Sequence, residues 1–352
     1  MLRSNHAPKA LDLFCGAGGL SLGLKRAGFD VIYALDHDDD SISTYNLNLG
    51  AHGHVGDVRR LTKSSLASSG IDVSAIDLVT GGPPCQGFSV QRRGSDDDER
   101  NFLVLEFLRL VLEIKPKFFL MENVSGLLSP RGKAFMDRFC DDCASHGYAL
   151  DIQKLNAADY GVPQYRKRAF LIGQRQESSS LEFEFPCPIP EFVESPVTVR
   201  QAIFDLLPLT ESQVANHKGD RLSKINLARI RSIKAGQGRD SLPEHLQLPC
   251  HKNNKSHRHL DTYGRLPWDQ PAPTITARFD SFSRGRFGHP ELDRTITLRE
   301  GARLQTFPDS FAFCGTKVSV ARQIGNAVPP VLGEVVGRSI IDCIHYEHKG
   351  VA

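Results

Sequence analysis

Several things are scarce in this sequence, and each scarcity excludes something. No apolar stretch approaches the roughly 20 residues needed to cross a bilayer, and Met1–Lys9 lacks the apolar core of a signal peptide. Neither a membrane span nor a secreted product is therefore expected, and a cytoplasmic location is. The 8 cysteines follow no disulfide-framework spacing, so reduced thiols are expected. Cys140-x-x-Cys143 has no second Cys pair and lies in a helical stretch, which favours plain packing. Cys250-His251 with His257 and His259 match no common zinc site, so no metal is expected. Charge of one sign is also scarce: 43 Lys+Arg against 41 Asp+Glu leave only +2, too little to name a partner. What is present is size. The 352 residues, 40% hydrophobic and 24% charged, suffice for two domains with a sizeable core. The charge is also unevenly placed. Asn216–Arg294 holds 15 Lys+Arg against 8 Asp+Glu, a surplus of +7 that leaves −5 for the rest and suggests a face for a polyanion.

The chain is organised around Gly81-Gly82-Pro83-Pro84-Cys85-Gln86-Gly87-Phe88-Ser89. It follows Ala75–Thr80, a short apolar run that reads as a buried parallel strand. Two glycines and two prolines stop that strand and fix an extended, turned backbone. A cysteine just past the carboxyl end of such a strand stands where open α/β sheets keep their ligands, which makes Cys85 a nucleophile candidate. Free cysteine is more often simply buried, but not on a Gly-Pro-Pro corner.

Upstream, Leu11–Phe14 reads as a strand, Cys15–Gly19 as a glycine turn, and Leu20, Leu24 and Ala27 as one helix face ending at Gly28. Such a turn brings backbone close to a nucleotide-like ligand. Asp30–Leu35 reads as a second strand whose end, Asp36, can accept ribose hydroxyls. Any carboxylate of the run Asp36–Asp40 could serve, or could cap a helix. Asp57, in a third turn, could accept from an adenine amino group. Downstream, Val90–Arg100 reads as a mobile loop and Phe102–Ile114 as an amphipathic helix. Lys117–Val124 is a strand ending in Glu122-Asn123-Val124, Lys133–His146 a helix, and Tyr148–Leu155 and Arg168–Gly173 two more strands. Between the last two, Gln164-x-Arg166-x-Arg168 sets two guanidiniums on one face of an extended segment, suited to a phosphate or a base edge. Prolines 186, 188, 190 and 196 mark a linker. Beyond it, Tyr263–Trp268 and Phe282–Phe287 interleave aromatics with arginines, a composition suited to nucleic acid. Leu332, Val335, Val336, Ile340 and Ile344 form the apolar stripe of a last helix.

Taken in order, Phe14-x-Gly16-x-Gly18, the acidic turns, the Cys85 corner, Glu122-Asn123-Val124, Gln164-x-Arg166-x-Arg168, Thr297–Gln305 and Gly325–Pro330 resemble the motif series of the bacterial modification type of cytosine-C5 DNA methyltransferase. The resemblance spans about Leu11 to Pro330. It implies an α/β, Rossmann-like S-adenosylmethionine-dependent methyltransferase domain with a smaller, irregular target-recognition domain. The boundaries expected are 1–185 for catalysis and cofactor, 186–294 for target recognition, and 295–352 for a motif segment and a helix that returns to the first domain and packs beside the first strand. It further implies that Cys85, Glu122, Arg166 and Arg168 are catalytic. Phe14, Gly16, Gly18, Asp36, Asp57, Pro84, Leu103, Asn326 and Val328 would hold S-adenosyl-L-methionine, with S-adenosyl-L-homocysteine as product. Gln86, Ser89, Arg265, Arg278, Arg284 and Arg286 would contact DNA, and the Val90–Arg100 loop would close over a flipped nucleotide. The partners implied are double-stranded DNA and a cognate restriction or defence component, with the enzyme a monomer. A tRNA cytosine-C5 methyltransferase would share the catalytic motifs, but that branch typically carries a Cys-Phe-Thr that this chain lacks. A thiol oxidoreductase would need a resolving cysteine close to Cys85 in sequence, and there is none.

Overall fold

Leu11, Leu13, Leu78, Val79 and the run Phe118–Met121 are almost wholly withdrawn from solvent, as befits strands covered on both faces rather than one. The computed structural model describes residues 7–84, 102–176, 181–249 and 261–347. The chain divides into two units, Met1–Asn156 with Lys167–Pro188 and Val328–Ala352, and Ala157–Arg166 with Ile189–Ala327.

The first unit is built on a seven-stranded sheet in the order β3-β2-β1-β4-β5-β7-β6. Its strands are β1 Lys9–Leu13, β2 Asp30–Asp36, β3 Gly53–Val55, β4 Ile76–Gly81, β5 Phe118–Val124, β6 Tyr148–Asn156 and β7 Lys167–Arg175. Every pairing is parallel except those of β7, which runs antiparallel to β5 and β6. The helices of this unit include α1 Gly19–Ala27, α2 Asp39–Leu49, α3 Lys63–Ser68, α4 Phe102–Ile114 and α5 Lys133–Ser145. Helix α1 ends where expected, because Gly28 adopts φ 114° and returns its N–H to the carbonyls of Leu24 and Lys25. The core between sheet and helices joins Leu11, Leu13, Phe107, Val111, Phe119, Met121, Phe139 and Leu171. Cys143 of α5 belongs to it, and burial pushes its thiol up to about 12, so that cysteine packs and does not react.

The strand order reverses between β1 and β4, and Leu13 pairs with Gly81 at the carboxyl ends of those strands. Open α/β sheets bind ligands at such a reversal. The two backbones are so close there that a Cβ on Gly81 would lie 2.1 Å from the Leu13 carbonyl oxygen. The last helix, Pro330–Glu347, packs against α1. Its Leu332, Val336, Ile340 and Ile344 are buried, and a Cβ on Gly23 would meet backbone atoms of Pro330, Gly333 and Glu334 within 2.7 Å.

The second unit is irregular, as expected. Among the described residues it has short helices and isolated β-bridges such as Ala235–Arg265, Arg265–Gly288 and Gly288–Thr295, but no strand ladder. Ile230, Ile233, Leu242 and Phe282 form one small core, and Phe307, Phe311 and Phe313 stack on one another elsewhere. Its extent, Ala157–Arg166 with Ile189–Ala327, differs from the expected 186–294 at both ends and by an added segment. Residues 295–327 stay with this unit, so the returning segment begins only at Val328, and Ala157–Arg166 also belongs here. Hydrogen bonds explain the added segment. The Gln164 amide donates to Leu304 O and Gln305 Oε1 at 3.2 and 2.8 Å and accepts from Ile275 N, while Tyr165 N donates to Ala272 O.

Candidate active site

The corner at the end of β4 is held from its neighbour β5. Asn123 is 3% exposed, and its Nδ2 donates to Pro83 O at 3.0 Å, while its Oδ1 accepts from Val124 N. The backbone entering Cys85 is thereby tied to the strand that carries Glu122. Sequence reasoning saw Asn123 only as a letter of a motif. Its signal is a buried amide beside a carboxylate at a strand end. A Cβ on Gly82 would stand 3.5 Å from Glu122 Oε2, so the carboxylate lies directly against this loop. Cys85, Gln86, Ser89 and the Val90–Arg100 loop fall outside the described residues, whereas Pro84, half-buried, is the last described residue of the corner.

Glu122 is 8% exposed and sits 3.0 Å from Arg168 Nε. The β5–β7 register explains the pair: Arg168 lies opposite Val124, so it shares a sheet face with Glu122 and meets it diagonally. The contact is an ion pair without hydrogen-bond alignment, which leaves Glu122 Oε1 a buried acceptor with no hydrogen bond. Buried carboxylate oxygens are normally satisfied, and an unsatisfied one beside a guanidinium is poised for a polar ligand edge.

The glycine turn after β1 is strained where a ligand would touch it. Phe14 takes φ 61°, a left-handed conformation that costs a bulky residue on the order of 1–3 kcal/mol. Gly16 (φ 52°) donates its N–H to Asp36 Oδ2 at 2.9 Å, and a Cβ there would find no atom within 4 Å, which marks an open cradle. Gly18 (φ 90°) is closed on its Cβ side, where a Cβ would strike Leu49 and Tyr45 below 3 Å. Asp36 also accepts from Asp38 N, and a carboxylate with about four acceptor positions still has capacity for ribose hydroxyls. The acidic run is thus resolved: Asp38 caps α2 by accepting from Ser41 N, and Asp36 faces the cradle. Asp57 caps the short turn Val58–Arg60 and is held by Arg59 on both oxygens, which keeps its carboxyl down at about 2. Phe14 and Leu103 are half-buried against the same core. Val328 is buried, and Asn326 is the exposed last residue of helix Lys317–Asn326 in the second unit. An open cradle, an acidic acceptor and flanking apolar residues fit the nucleoside part of an adenosyl cofactor.

Beneath the turn lies a buried polar chain that sequence reasoning missed. Tyr45 Oη donates to Ser21 Oγ at 3.0 Å, Ser21 Oγ donates to Asp12 Oδ2 at 2.5 Å, and His52 Nε2 stands 3.1 Å from Tyr45 Oη. Burial pushes the Asp12 carboxyl up to about 7 against the opposing hydrogen bond from Ser21. Cys15 is also buried, and desolvation raises its thiol, so it is no second nucleophile.

The expected arginines separate into two groups. Arg166, 1% exposed, lies in the second unit and donates to the carbonyls of Ile275 and Gly325. Arg265 is 5% exposed. Its guanidinium donates to the carbonyls of Ile230, Ile233, His289 and Leu292 and to Asp293, so it does not face a groove. Arg286 is half-buried and paired with Asp261, while Arg278 and Arg284 are exposed. The interleaved aromatics turn inward too: Phe282 and Phe287 are core, and Arg229 lies 4.9 Å over the Tyr263 ring.

The profile of the family described as C-5 cytosine-specific DNA methylase matches residues 9–342. The type II methylase M.HgiDII of Herpetosiphon aurantiacus is 36% identical over 347 residues, 94% of this chain and 94% of its own. The type II methyltransferase M.NgoMIV of Neisseria gonorrhoeae is 33% identical over 341 residues, 96% of this chain and 99% of its own. A crystal structure described as a DNA modification methyltransferase encoded within an E. coli prophage superposes with a TM-score of 0.75 at 30% identity, covering 96% of this chain and 99% of that one. A Spodoptera frugiperda DNMT2 variant, 17% identical, shares the fold with a TM-score of 0.67 over 95% of this chain and 100% of its own.

Proposed function

Because the chain belongs to the C-5 cytosine-specific DNA methylases, and is therefore a DNA cytosine methyltransferase, we propose that its first unit methylates a flipped cytosine through the corner after β4 and the end of β5. Cytosine C5 is a poor nucleophile while the ring is aromatic. The Cys85 thiolate adds to C6, forming an S–C6 bond and moving the C5=C6 electron pair onto C5. Glu122 passes a proton to N3 as charge develops on the ring, and Arg168 holds the O2 edge. S-adenosylmethionine, when bound, supplies the methyl group, and Phe14, Gly16, Gly18, Asp36, Asp57, Pro84, Leu103 and Val328 are the residues that would hold it. A base takes the C5 proton, the C5=C6 double bond reforms as the S–C6 bond breaks and Cys85 leaves as thiolate, and N3 returns its proton to Glu122. The base must leave the stack to be reached, at a cost of a few kcal/mol.

The observation that carries this reading is the convergence of Glu122 on Gly82 and Arg168, with Asn123 tying the same loop to the same strand. Duplex DNA is preferred to tRNA as substrate because the relatives at 30% identity or more are named as DNA-modifying methylases. Their type II names support a restriction–modification setting with a companion endonuclease, and we take the enzyme to act as a monomer. Duplex DNA containing 5-fluorocytosine tests the reading, because fluorine cannot leave C5 as a proton does. Wild type should be trapped as a covalent adduct, and Cys85→Ala should lose the adduct while binding S-adenosylhomocysteine within about twofold of wild type. An adduct formed by Cys85→Ala would falsify the assignment.

A further inference from the structure

Helix α4 carries Glu106, Arg109 and Glu113 on one face. Arg109 Nε donates to Glu106 Oε2 and Nη1 to Glu113 Oε1, each at 2.8 Å. Nη2 leaves the helix and donates to the backbone carbonyls of Val58 and Leu61 at 3.2 and 3.0 Å. Those carbonyls belong to the turn that Asp57 caps. Glu113 adds a second tie by accepting from Lys63 N at 3.2 Å. At the other end of the turn, Gly56 N donates to Asp36 O at 2.9 Å. The Asp57 peptide is thus fixed to β2 on one side and to α4 on the other.

An exposed pair at helical spacing contributes only a few tenths of a kcal/mol to its helix, and it needs no contact with another segment. Here the two carboxylates hold the guanidinium in one orientation, so its remaining N–H groups are aimed. Val58 and Leu61 already bury their side chains in the core. The turn would therefore stay near its place without Arg109. What the guanidinium adds is the orientation of the peptide groups, and the Asp57 side chain, locked by Arg59, follows its backbone. Leu103, the other candidate wall for a nucleobase, lies on the same helix about 9 Å along the axis from Arg109, at 1.5 Å per residue.

We propose that Arg109 is a positioning residue for the adenine end of S-adenosylmethionine, setting the Asp57 turn against the helix that carries Leu103. The inference rests on the reading that these turns hold the cofactor, and calorimetric binding of S-adenosylhomocysteine and of adenosine tests the two separately. Asp57→Ala and Arg109→Ala should each weaken both ligands about tenfold, the loss of one charged hydrogen bond, with Arg109→Lys in between. The double variant should bind no more weakly than Asp57→Ala alone, because Arg109 acts through Asp57. KM for S-adenosylmethionine should rise while kcat at saturating cofactor and KM for DNA stay within about twofold, a split that general loosening of the fold would not give. Additive losses in the double variant, or a parallel rise in KM for DNA, overturn the proposal. If Asp57→Ala binds as wild type, the cofactor reading of the turn fails. If Asp57→Ala is weak but Arg109→Ala is not, only the Arg109 proposal fails. Should Arg109→Ala not fold, the same cycle with Arg109→Lys decides.

Discussion

In the first unit, strand ladders satisfy the backbone, and Arg168 can act at a strand end beside Glu122. In the second, no strand ladder exists among the described residues, and side chains take over that work. Arg265 donates to four carbonyls and a carboxylate. Arg299, 0% exposed, donates to the carbonyls of Ala215, Pro308 and Phe311. Arg229 reaches Leu246 O. A buried carbonyl needs a donor wherever it lies, and arginine offers five in a rigid fork. The positive surplus of Asn216–Arg294 is therefore partly a framework for an irregular chain and not all surface charge. Counting arginines overstates the charge that such a unit presents.

The contrast can be broken most sharply at Glu122. Glu122→Gln keeps size and a donor but cannot transfer a proton, and single-turnover methylation should slow by about 10²–10⁴ with unchanged thermal stability. A rate within about threefold of wild type removes Glu122 from the chemistry. Next comes Arg265→Leu, which leaves carbonyls and Asp293 without their donor. It should cost the fold about 3 kcal/mol, read by denaturant unfolding, and weaken DNA binding while S-adenosylhomocysteine binding survives. Loss of DNA binding without loss of stability would instead restore Arg265 to the reading surface.

The two units should also respond oppositely to acid. His289 in the second unit is 0% exposed, its Nδ1 accepts from Glu291 N and Leu292 N, and burial holds its pKa down at about 4. The unfolded chain binds a proton near 6.5 that the fold refuses until about 4, so stability falls as pH drops through that window. Asp12 in the first unit has its carboxyl raised to about 7, so its contribution is full below 3.8 and is lost as pH rises towards 7. Each effect is on the order of 3–4 kcal/mol. His289→Gln should flatten the acid side of the wild-type profile and Asp12→Asn the neutral side. A wild-type-shaped profile in either variant contradicts the assignment. The smallest effects belong to the exposed Arg278 and Arg284. Alanine at a base-reading position should relax one position of the target site by about 1–3 kcal/mol. At a phosphate contact it should weaken all sequences alike and lower the salt slope by about 1.

The strands and corner of the first unit were legible because buried parallel strands write continuous apolar runs and because Gly81–Pro84 punctuates them. β1, β2, β4 and β5 lie within two residues of their expected limits. The three-residue β3 was not legible, being too short for a period to show. Asp38 could not be told from Asp36, since capping and ligand acceptance use the same carboxylate. The inward turn of Arg166 and Arg265 left no trace either. Their acceptors are carbonyls brought from distant segments, and without helix or strand periodicity no spacing distinguishes an inner arginine from an outer one.

The chain passes between the two units after Asn156, Arg166, Pro188 and Ala327. No single cut separates them. An exchange by recombination would replace 189–327 and leave the resident 157–166 to receive the newcomer. That resident segment engages mostly main-chain atoms: Arg166 meets Ile275 O and Gly325 O, Tyr165 meets Ala272 O, and Gln164 meets Ile275 N and Leu304 O. Every sequence of the same backbone offers those atoms. A chimera exchanging 189–327 alone should melt within about 4 °C of one that also exchanges 157–166, less than ~1 kcal/mol apart for a domain of this size. Exchange of the segment then asks for a matching backbone, while the side chains of the incoming segment remain free to diverge.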